Sequence, residues 1–551
     1  MGFELSADAS FATTLHTWAH AEPGRVALLE PDGLGLGTSR WRGTTFGELD
    51  ALTDRYAIGL ARQGVRRGDR VLYLLPPSAE GYAVFYALLR LGAIPAFIDP
   101  RMSLPRLLAC VEAIRPRVVI AVPAVHALRL VARRPFAAVQ LFITSGHRSF
   151  WGGRTLRQCL AESGTFTPDP VTPETECYLP FTSGSTGLAK GVYCTHGMVR
   201  AQAGLVRKVC GWREGMRVVM CYAPFAPFAL ADGLTVILPD MDFSRPAAAD
   251  PRRIVEAVTA NQAEYAFASP IIWMKLARYG ERERVALPTL QHAIAAGAPV
   301  PVDLHRRLVA LMHPDGRLHT PYGATEAMPL TTTDTCALAE TWAAARNGYG
   351  TCVGKPLPGV QLHLIRVTDD PIPSWSDDLQ VPEGAIGEII AGGAVVSPSY
   401  PHLPEENARA KIRSDRGVLH RTGDLGRLDA EGRVWFCGRK SHRIETRDGM
   451  LASVPLENIF NEHPGVFRSA VVGVGPLRAQ TPVACVELEA GVAFSRRIEA
   501  ELIALADETP FRGVVTRFLP HRGFPVDPRH NSKIRREELA LWAAGKLRHH
   551  G

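Results

Sequence analysis

The sequence predicts an α/β protein of at least two domains, the larger one built on parallel sheets covered by helices. Three observations predict it. Apolar runs of strand length alternate with amphipathic stretches of helix length, the pattern of a parallel sheet covered on both faces. The chain has 551 residues, more than one hydrophobic core usually organises. After Gly438-Arg439-Lys440-Ser441 the strand and helix pattern starts afresh, which predicts a compact C-terminal α+β domain over residues 441–551, following a larger domain over 1–440.

In chain order, residues 46–63 are amphipathic and Arg70-Val71-Leu72-Tyr73-Leu74-Leu75 reads as a buried strand. Residues 79–91 are helical, Ala93-Ile94-Pro95-Ala96-Phe97-Ile98 and Val118-Val119-Ile120-Ala121-Val122 are strands, and residues 104–114 form the helix between them. Cys177-Tyr178-Leu179-Pro180 and Val192-Tyr193-Cys194 read as short strands on either side of a glycine-rich loop. Met198, Ala201, Leu205 and Val209 then recur at helical spacing behind Thr195, a good N-cap, so Met198 is expected in the core.

Two apolar strands follow, Tyr265-Ala266-Phe267-Ala268-Ser269 and Ala293-Ile294-Ala295-Ala296-Gly297, each ending in small residues. Ligands of open parallel sheets sit beyond the carboxyl ends of the strands, so Gly297, Ala298 and Pro299 are candidate pocket residues. Residues 353–400 are rich in short β segments and Gly/Pro turns and predict a β subdomain.

Composition narrows the function. Apolar residues make up 46% and charged residues 21%, ordinary for a soluble globular protein. A net charge of +7 suits an anionic substrate, but no basic run with interleaved aromatics points to nucleic acid. The ten cysteines include no Cys-x-x-Cys pair and no Cys/His cluster, so free thiols in a reducing cytoplasm are expected. The first residues have no basic-then-apolar plan of a signal peptide, and no uncharged apolar run is long enough to span a bilayer, so a cytoplasmic protein, not integral to a membrane, is expected.

The loop Thr182-Ser183-Gly184-Ser185-Thr186-Gly187-Leu188-Ala189-Lys190-Gly191 has the composition of a phosphate loop. Its glycines let successive N–H groups face one anion; Thr182, Ser183, Ser185 and Thr186 add hydroxyls and Lys190 a point charge. It is not a Walker loop, because Gly191 follows the lysine where Ser or Thr is required.

Five further stretches, together with this loop, resemble the motifs of the adenylate-forming superfamily, in order and over nearly the whole chain. They are Tyr322-Gly323-Ala324-Thr325-Glu326, residues 387–400, Arg421-Thr422-Gly423-Asp424, Gly438-Arg439-Lys440-Ser441 and Asn531-Ser532-Lys533-Ile534. The resemblance implies a large N-terminal adenylation domain and a small mobile C-terminal domain turning about Ser441, where the superfamily commonly has Asp or Lys. It implies ATP and Mg2+, with a carboxylate brought up to the α-phosphate of ATP. Two anions meet there, so charge must be neutralised and the attack aligned.

By this resemblance Glu326 is the Mg2+ ligand and, with Thr325 on the α-phosphate, part of the catalytic set. Asp424 accepts bonds from the ribose hydroxyls, Arg439 reaches the ribose or phosphate side, and Tyr322 and Gly323 belong to the nucleotide site. Lys533 is the mobile lysine that bridges carboxylate and α-phosphate oxygens.

An acyl adenylate can pass to coenzyme A, to a carrier-protein thiol, or to a nucleophile within the acyl group. Ile444-Glu445-Thr446-Arg447-Asp448-Gly449-Met450 lacks the Lys-x-x-Gly pattern that supports thioester formation in the superfamily. Pro239-Asp240-Met241-Asp242, Trp151-Gly152-Gly153, Trp435-Phe436-Cys437-Gly438-Arg439-Lys440-Ser441-His442-Arg443, Ile459-Phe460-Asn461-Glu462-His463-Pro464 and residues 523–534 resemble the β-lactone synthetases of long-chain olefin biosynthesis.

That resemblance implies a lipid-like 2-alkyl-3-hydroxy acid as substrate, ring closure by its own 3-hydroxyl, and assembly with other hydrocarbon- or β-lactone-pathway enzymes. A fatty acyl-CoA or acyl-carrier ligase is the alternative, and an inactive acyl- or nucleotide-binding protein the alternative of another class. His196 and His442 have the chemistry of a base for closure, although a structural hydrogen bond is the commoner role for each. Pro224-Phe225-Ala226-Pro227-Phe228-Ala229-Leu230 and Ile271-Ile272-Trp273-Met274 supply apolar surface for an acyl pocket, with most of them expected in the core.

Overall fold

The computed structural model describes residues 10–32, 41–99, 102–147, 152–182, 189–297, 300–526 and 534–549. A seven-stranded sheet runs in the order Arg154–Thr155, Leu141–Thr144, Val118–Ala121, Arg70–Leu74, Ile94–Phe97, Glu176–Pro180, Cys194–Thr195. All of its neighbours are parallel except the last pair, where the strands flanking the glycine-rich loop meet antiparallel. The crossovers include the helices Ala79–Arg90 and Leu104–Ile114, as the alternation of apolar and amphipathic stretches predicts.

Local chemistry fixes where the helices start. Thr45 accepts from the Glu48 amide while the Glu48 carboxylate accepts from the Thr45 amide, a capping box that opens Phe46–Arg62. Ser78 caps Ala79–Arg90 through the Gly81 amide at 3.0 Å. Thr195 caps His196–Cys210 through the Met198 amide at 3.1 Å, and Met198 is buried in the core.

The second sheet has a parallel part, Val26–Pro31, Thr235–Ile237, Arg217–Met220, Tyr265–Ala268, His292–Ala295 and Arg317–Ala324. The chain then folds back at Thr325 and Glu326 into Ala327–Asp334, which pairs antiparallel with Arg317–Ala324. The β-rich stretch expected as a subdomain continues this sheet. Thr351–Pro356 adds to the edge that Ala327–Asp334 leaves open, and Val434–Arg439, Gly417–Leu428, Gly387–Gly392 and Gln361–Ile365 follow in order. An edge strand carries unpaired backbone groups, and pairing them is the physical reason this β subdomain is joined to the larger sheet. In the C-terminal part Val466–Val474, Thr481–Leu488 and Phe518–Pro520 form a small mixed sheet packed by the helices Ser453–Phe460 and Arg496–Asp507, an α+β arrangement.

All ten cysteines are free, and only Cys336 is exposed. Among the described residues no helix is long and apolar enough to cross a membrane.

Asp232 follows the buried helix Ala226–Ala231 and is itself buried, with Oδ2 lacking a hydrogen-bond partner among the described residues. Its nearest cation, Arg207, stands 3.9 Å away, too far to offset desolvation, and burial raises the carboxyl to about 7. The unfolded carboxyl titrates near 3.8, so the folded form holds a proton that the unfolded chain releases, and stability is lost as pH rises toward 7. Asp232→Asn is expected to raise Tm by a few degrees at pH 8 and to leave it nearly unchanged at pH 4, measured by thermal unfolding at both.

Candidate active site

A cleft of about 4160 Å³ opens beyond the carboxyl ends of the parallel strands. Thr182, Lys190, Gly297, Tyr322, Gly323, Thr325, Glu326, Asp424 and Arg439 all line it. The remaining predicted residues, Ser183, Gly184, Ser185, Thr186, Gly187, Ala298, Pro299 and Lys533, lie outside the described residues.

Tyr322 and Gly323 stand near the end of Arg317–Ala324, with Thr325 and Glu326 in the turn that follows. A Cβ on Gly323 would lie 2.7 Å from the Ala327 carbonyl oxygen and 3.1 Å from the Met328 Cα, both backbone atoms, so this hairpin admits only glycine there. Gly297, two residues past His292–Ala295, has φ +90°, a left-handed backbone that likewise favours glycine.

Asp424 and Arg439 are register partners on adjacent strands, so their side chains share one face. Arg439 Nη1 donates to Asp424 Oδ1 at 2.6 Å, and the Tyr322 hydroxyl donates to Oδ2 at 2.7 Å. Arg439 also reaches the Thr422 carbonyl at 3.3 Å. Asp424 holds Arg439 more firmly protonated, while burial first, and then Asp424, pushes the Tyr322 hydroxyl well above its ordinary range. A carboxylate offers about four lone-pair sites. The pair with Tyr322 and Arg439 thus leaves acceptor capacity facing the cleft for a diol.

Around Glu326 a second cluster forms. The Tyr400 hydroxyl donates to Glu326 Oε1 at 2.8 Å, and Ser397 donates its amide to the Glu326 carbonyl at 2.7 Å. Lys190 and Lys411 lie 5.4 and 5.3 Å from the centre of the Tyr400 ring, positions from which each cation is drawn to its π face. Lys411 donates to the Ser397 carbonyl at 2.6 Å, and burial lowers its ammonium to about 8 against the pull of Glu326 and Cys194. Lys190 is ion-paired with Glu406.

The donor set fits a divalent cation of the magnesium kind. Glu326 lines the cleft as a carboxylate whose Oε1 accepts from Tyr400. That suits Mg2+, which is usually held by one or two carboxylates plus phosphates and water rather than by an all-protein cage. Glu326 would supply the carboxylate.

The two candidate histidines separate. His196 is buried against Ser10, with Nδ1 3.2 Å from its Oγ, and does not line the cleft, so it has the structural role. His442 lines the cleft, as do Arg439 and Arg536, and neither ring nitrogen has a hydrogen-bond partner among the described residues, although Glu537 Oε1 stands 3.4 Å from Nε2. The apolar segments divide in the same way. Phe225, Phe228, Ile271 and Met274 line the cleft, whereas Trp273 is fully buried and donates its indole N–H to the Ile294 carbonyl at 2.8 Å.

Sequence reasoning assigned no role to Tyr400, Glu406 or Lys411. Tyr400 ends a quoted motif, which was a signal; Glu406 and Lys411 carry none, because their partners are far away in sequence.

The fold and this cleft define an adenylate-forming enzyme, and the chain belongs to the AMP-binding enzyme family, whose model matches residues 15–401. It is 40% identical over 548 residues to an olefin beta-lactone synthetase of Xanthomonas campestris pv. campestris, covering 97% of each chain. It is 38% identical over 549 residues to an olefin beta-lactone synthetase of Stenotrophomonas maltophilia, covering 98% of each. Among solved structures, the anthranilate CoA ligase AuaEII in complex with anthranoyl-AMP superimposes with a TM-score of 0.80 over 100% of each chain at 20% identity, which shows the shared fold.

Proposed function

We propose that the protein is a β-lactone synthetase that activates a long-chain 2-alkyl-3-hydroxy acid with ATP. The observation that carries this is the similarity to the olefin beta-lactone synthetases from end to end of both chains, through the stretches that form the cleft. In the first step a carboxylate oxygen attacks the α-phosphorus and pyrophosphate leaves. In the second, the 3-hydroxyl oxygen attacks the acyl carbon, its proton passes to solvent, and the bond from the acyl carbon to the phosphate oxygen breaks as AMP leaves.

Lys190, Arg439 and Lys533 supply positive charge where two anions approach, Glu326 the carboxylate for Mg2+, and Asp424 acceptors for the ribose. The phosphates rest on Thr182, Ser183, Gly184, Ser185, Thr186 and Gly187, with Gly297, Ala298 and Pro299 beside the nucleotide. Phe225, Phe228, Ile271 and Met274 give the acyl chains an apolar wall.

Residues 441–551 act as a mobile domain that brings Lys533 to the first step. Polar contacts joining them to the rest include Arg443 to Asp369 at 2.5 Å, Arg346 to Glu462 at 2.7 Å and Asn458 to Thr351 at 3.2 Å. Groups that water can re-solvate suit an interface that opens and closes. The protein works in the cytoplasm, beside other enzymes of a hydrocarbon or β-lactone pathway.

Product analysis with ATP, Mg2+ and a synthetic 2-alkyl-3-hydroxy fatty acid, with and without coenzyme A, tests the reading. β-Lactone and AMP are expected without coenzyme A. Turnover only with coenzyme A, giving thioester, would overturn it in favour of an acyl-CoA ligase, and the absence of ATP–pyrophosphate exchange would indicate a binding protein.

A further inference from the structure

Lys190, the lysine of the glycine-rich loop, is engaged by a residue 216 positions away. Its ammonium is ion-paired with Glu406 on the helix Pro404–Ala410. Both side chains are about two-thirds covered, with 29% and 30% exposure, so the pair lies at the wall of the cleft and water reaches it. Glu406 lines the cleft, whereas its neighbour Glu405 is exposed and does not. Asn407 ties the same helix to Tyr400, accepting from its amide at 2.7 Å and donating to its carbonyl at 2.8 Å. Tyr400 in turn holds Glu326, so Glu406 is carried on a scaffold anchored to the expected cation site.

We propose that Glu406 competes with the triphosphate for Lys190 and thereby sets the affinity for ATP. The proposal rests on the reading of Lys190 as a phosphate-binding lysine. A lysine head group can give its short charge-assisted bonds to Glu406 or to a phosphate. If the phosphate takes them, the Glu406 carboxylate becomes an unpaired anion beside further negative charge. Binding of ATP therefore gives up the lysine–glutamate pair, and loss of pyrophosphate restores it. Glu406 is a positioning residue, acting through Lys190. Its partial exposure lets it turn toward solvent without the desolvation cost of a buried carboxylate.

The test is ATP binding by titration calorimetry to the full chain and to Lys190→Ala, Glu406→Gln, Glu405→Gln and the Lys190→Ala/Glu406→Gln double variant, with Tm confirming folding. Glu406→Gln is expected to bind ATP about five-fold more tightly, the equivalent of a pair worth about 1 kcal/mol. Glu405→Gln, the same charge change one residue away, is expected to move the constant less than two-fold. In the Lys190→Ala background the effect of Glu406→Gln falls to that of Glu405→Gln. Glu406→Asp, shorter by one methylene, gives an intermediate gain and serves if the glutamine variant fails to fold.

If Lys190→Ala weakens ATP binding while Glu406→Gln leaves it unchanged or weaker, Glu406 only supports the loop and the proposal is overturned. If Lys190→Ala binds ATP like the parent, the reading of Lys190 fails first and the proposal with it.

Discussion

Asp424→Ala is expected to lower kcat/KM for ATP by about a hundred- to a thousand-fold, some 3–4 kcal/mol of lost transition-state stabilisation. Two losses combine. The acceptors proposed for the ribose hydroxyls disappear, and Arg439 and Tyr322 lose the carboxylate that holds them. The Arg439 side chain is 41% exposed, so water can re-solvate the guanidinium, and what it chiefly loses is the fixed position that Asp424 gives it. Asp424 is 6% exposed, so water cannot readily take its place.

Graded variants separate the two losses. Tyr322→Phe removes one donor and leaves the Asp424–Arg439 pair, so about a ten-fold loss or less is expected. Asp424→Asn keeps the shape and one acceptor but strands Arg439, and should fall nearer to alanine than to the parent. Steady-state kinetics over a range of ATP, with Tm alongside, read this out. A KM for ATP within two-fold of the parent in a folded Asp424→Ala would remove Asp424 from the nucleotide site.

How much of this was legible in the sequence depends on distance along the chain. Caps and periodicity act within one element, so Thr195 at the start of its helix and Met198 in the core could be read directly. Motif residues such as Asp424, Arg439 and Glu326 could be placed on one cleft because each motif keeps its own turn or strand. What those residues touch could not be read. Tyr322 meets Asp424 across 102 positions, Tyr400 meets Glu326 across 74 and Lys190 meets Glu406 across 216, and no local pattern encodes such pairs.

The apolar segments show the same limit. Trp273 and its neighbour Met274 are chemically alike as pocket residues, but helical rotation sends one into the core and the other to the cleft. The β subdomain was legible in the turn-rich composition of residues 353–400. That its strands join the larger sheet was not, because strand pairing is decided by which edge is open, a property of the assembled sheet.

Acidification is expected to destabilise the protein steeply between pH 6.5 and 4, through histidines that fold in neutral form. His196 and His305 are each 2% exposed, and burial lowers both imidazoles to about 4. Burial, with Arg536 and Arg439 nearby, lowers His442 to about 3. His305 Nδ1 bonds Thr335 Oγ1 at 3.1 Å, while its Nε2 has no hydrogen-bond partner among the described residues to accept a new proton. An unfolded histidine titrates near 6.5. The folded values lie below it, so the contribution of each is complete above pH 6.5 and is lost as pH falls toward 4, by roughly 3 kcal/mol per group.

Asp232 works in the opposite direction over the same window, because its folded value is raised to about 7 and falling pH favours its folded form. It offsets about one of the three histidines, and Asp232→Asn should therefore steepen the acid dependence. His305→Gln should flatten it. Urea midpoints at half-unit steps from pH 7.5 to 4.5 for the parent and both variants measure this. Midpoints unchanged between pH 6.5 and 5 in the parent would mean that these imidazoles take up protons in the folded protein, and that their cavities admit water or a counter-charge.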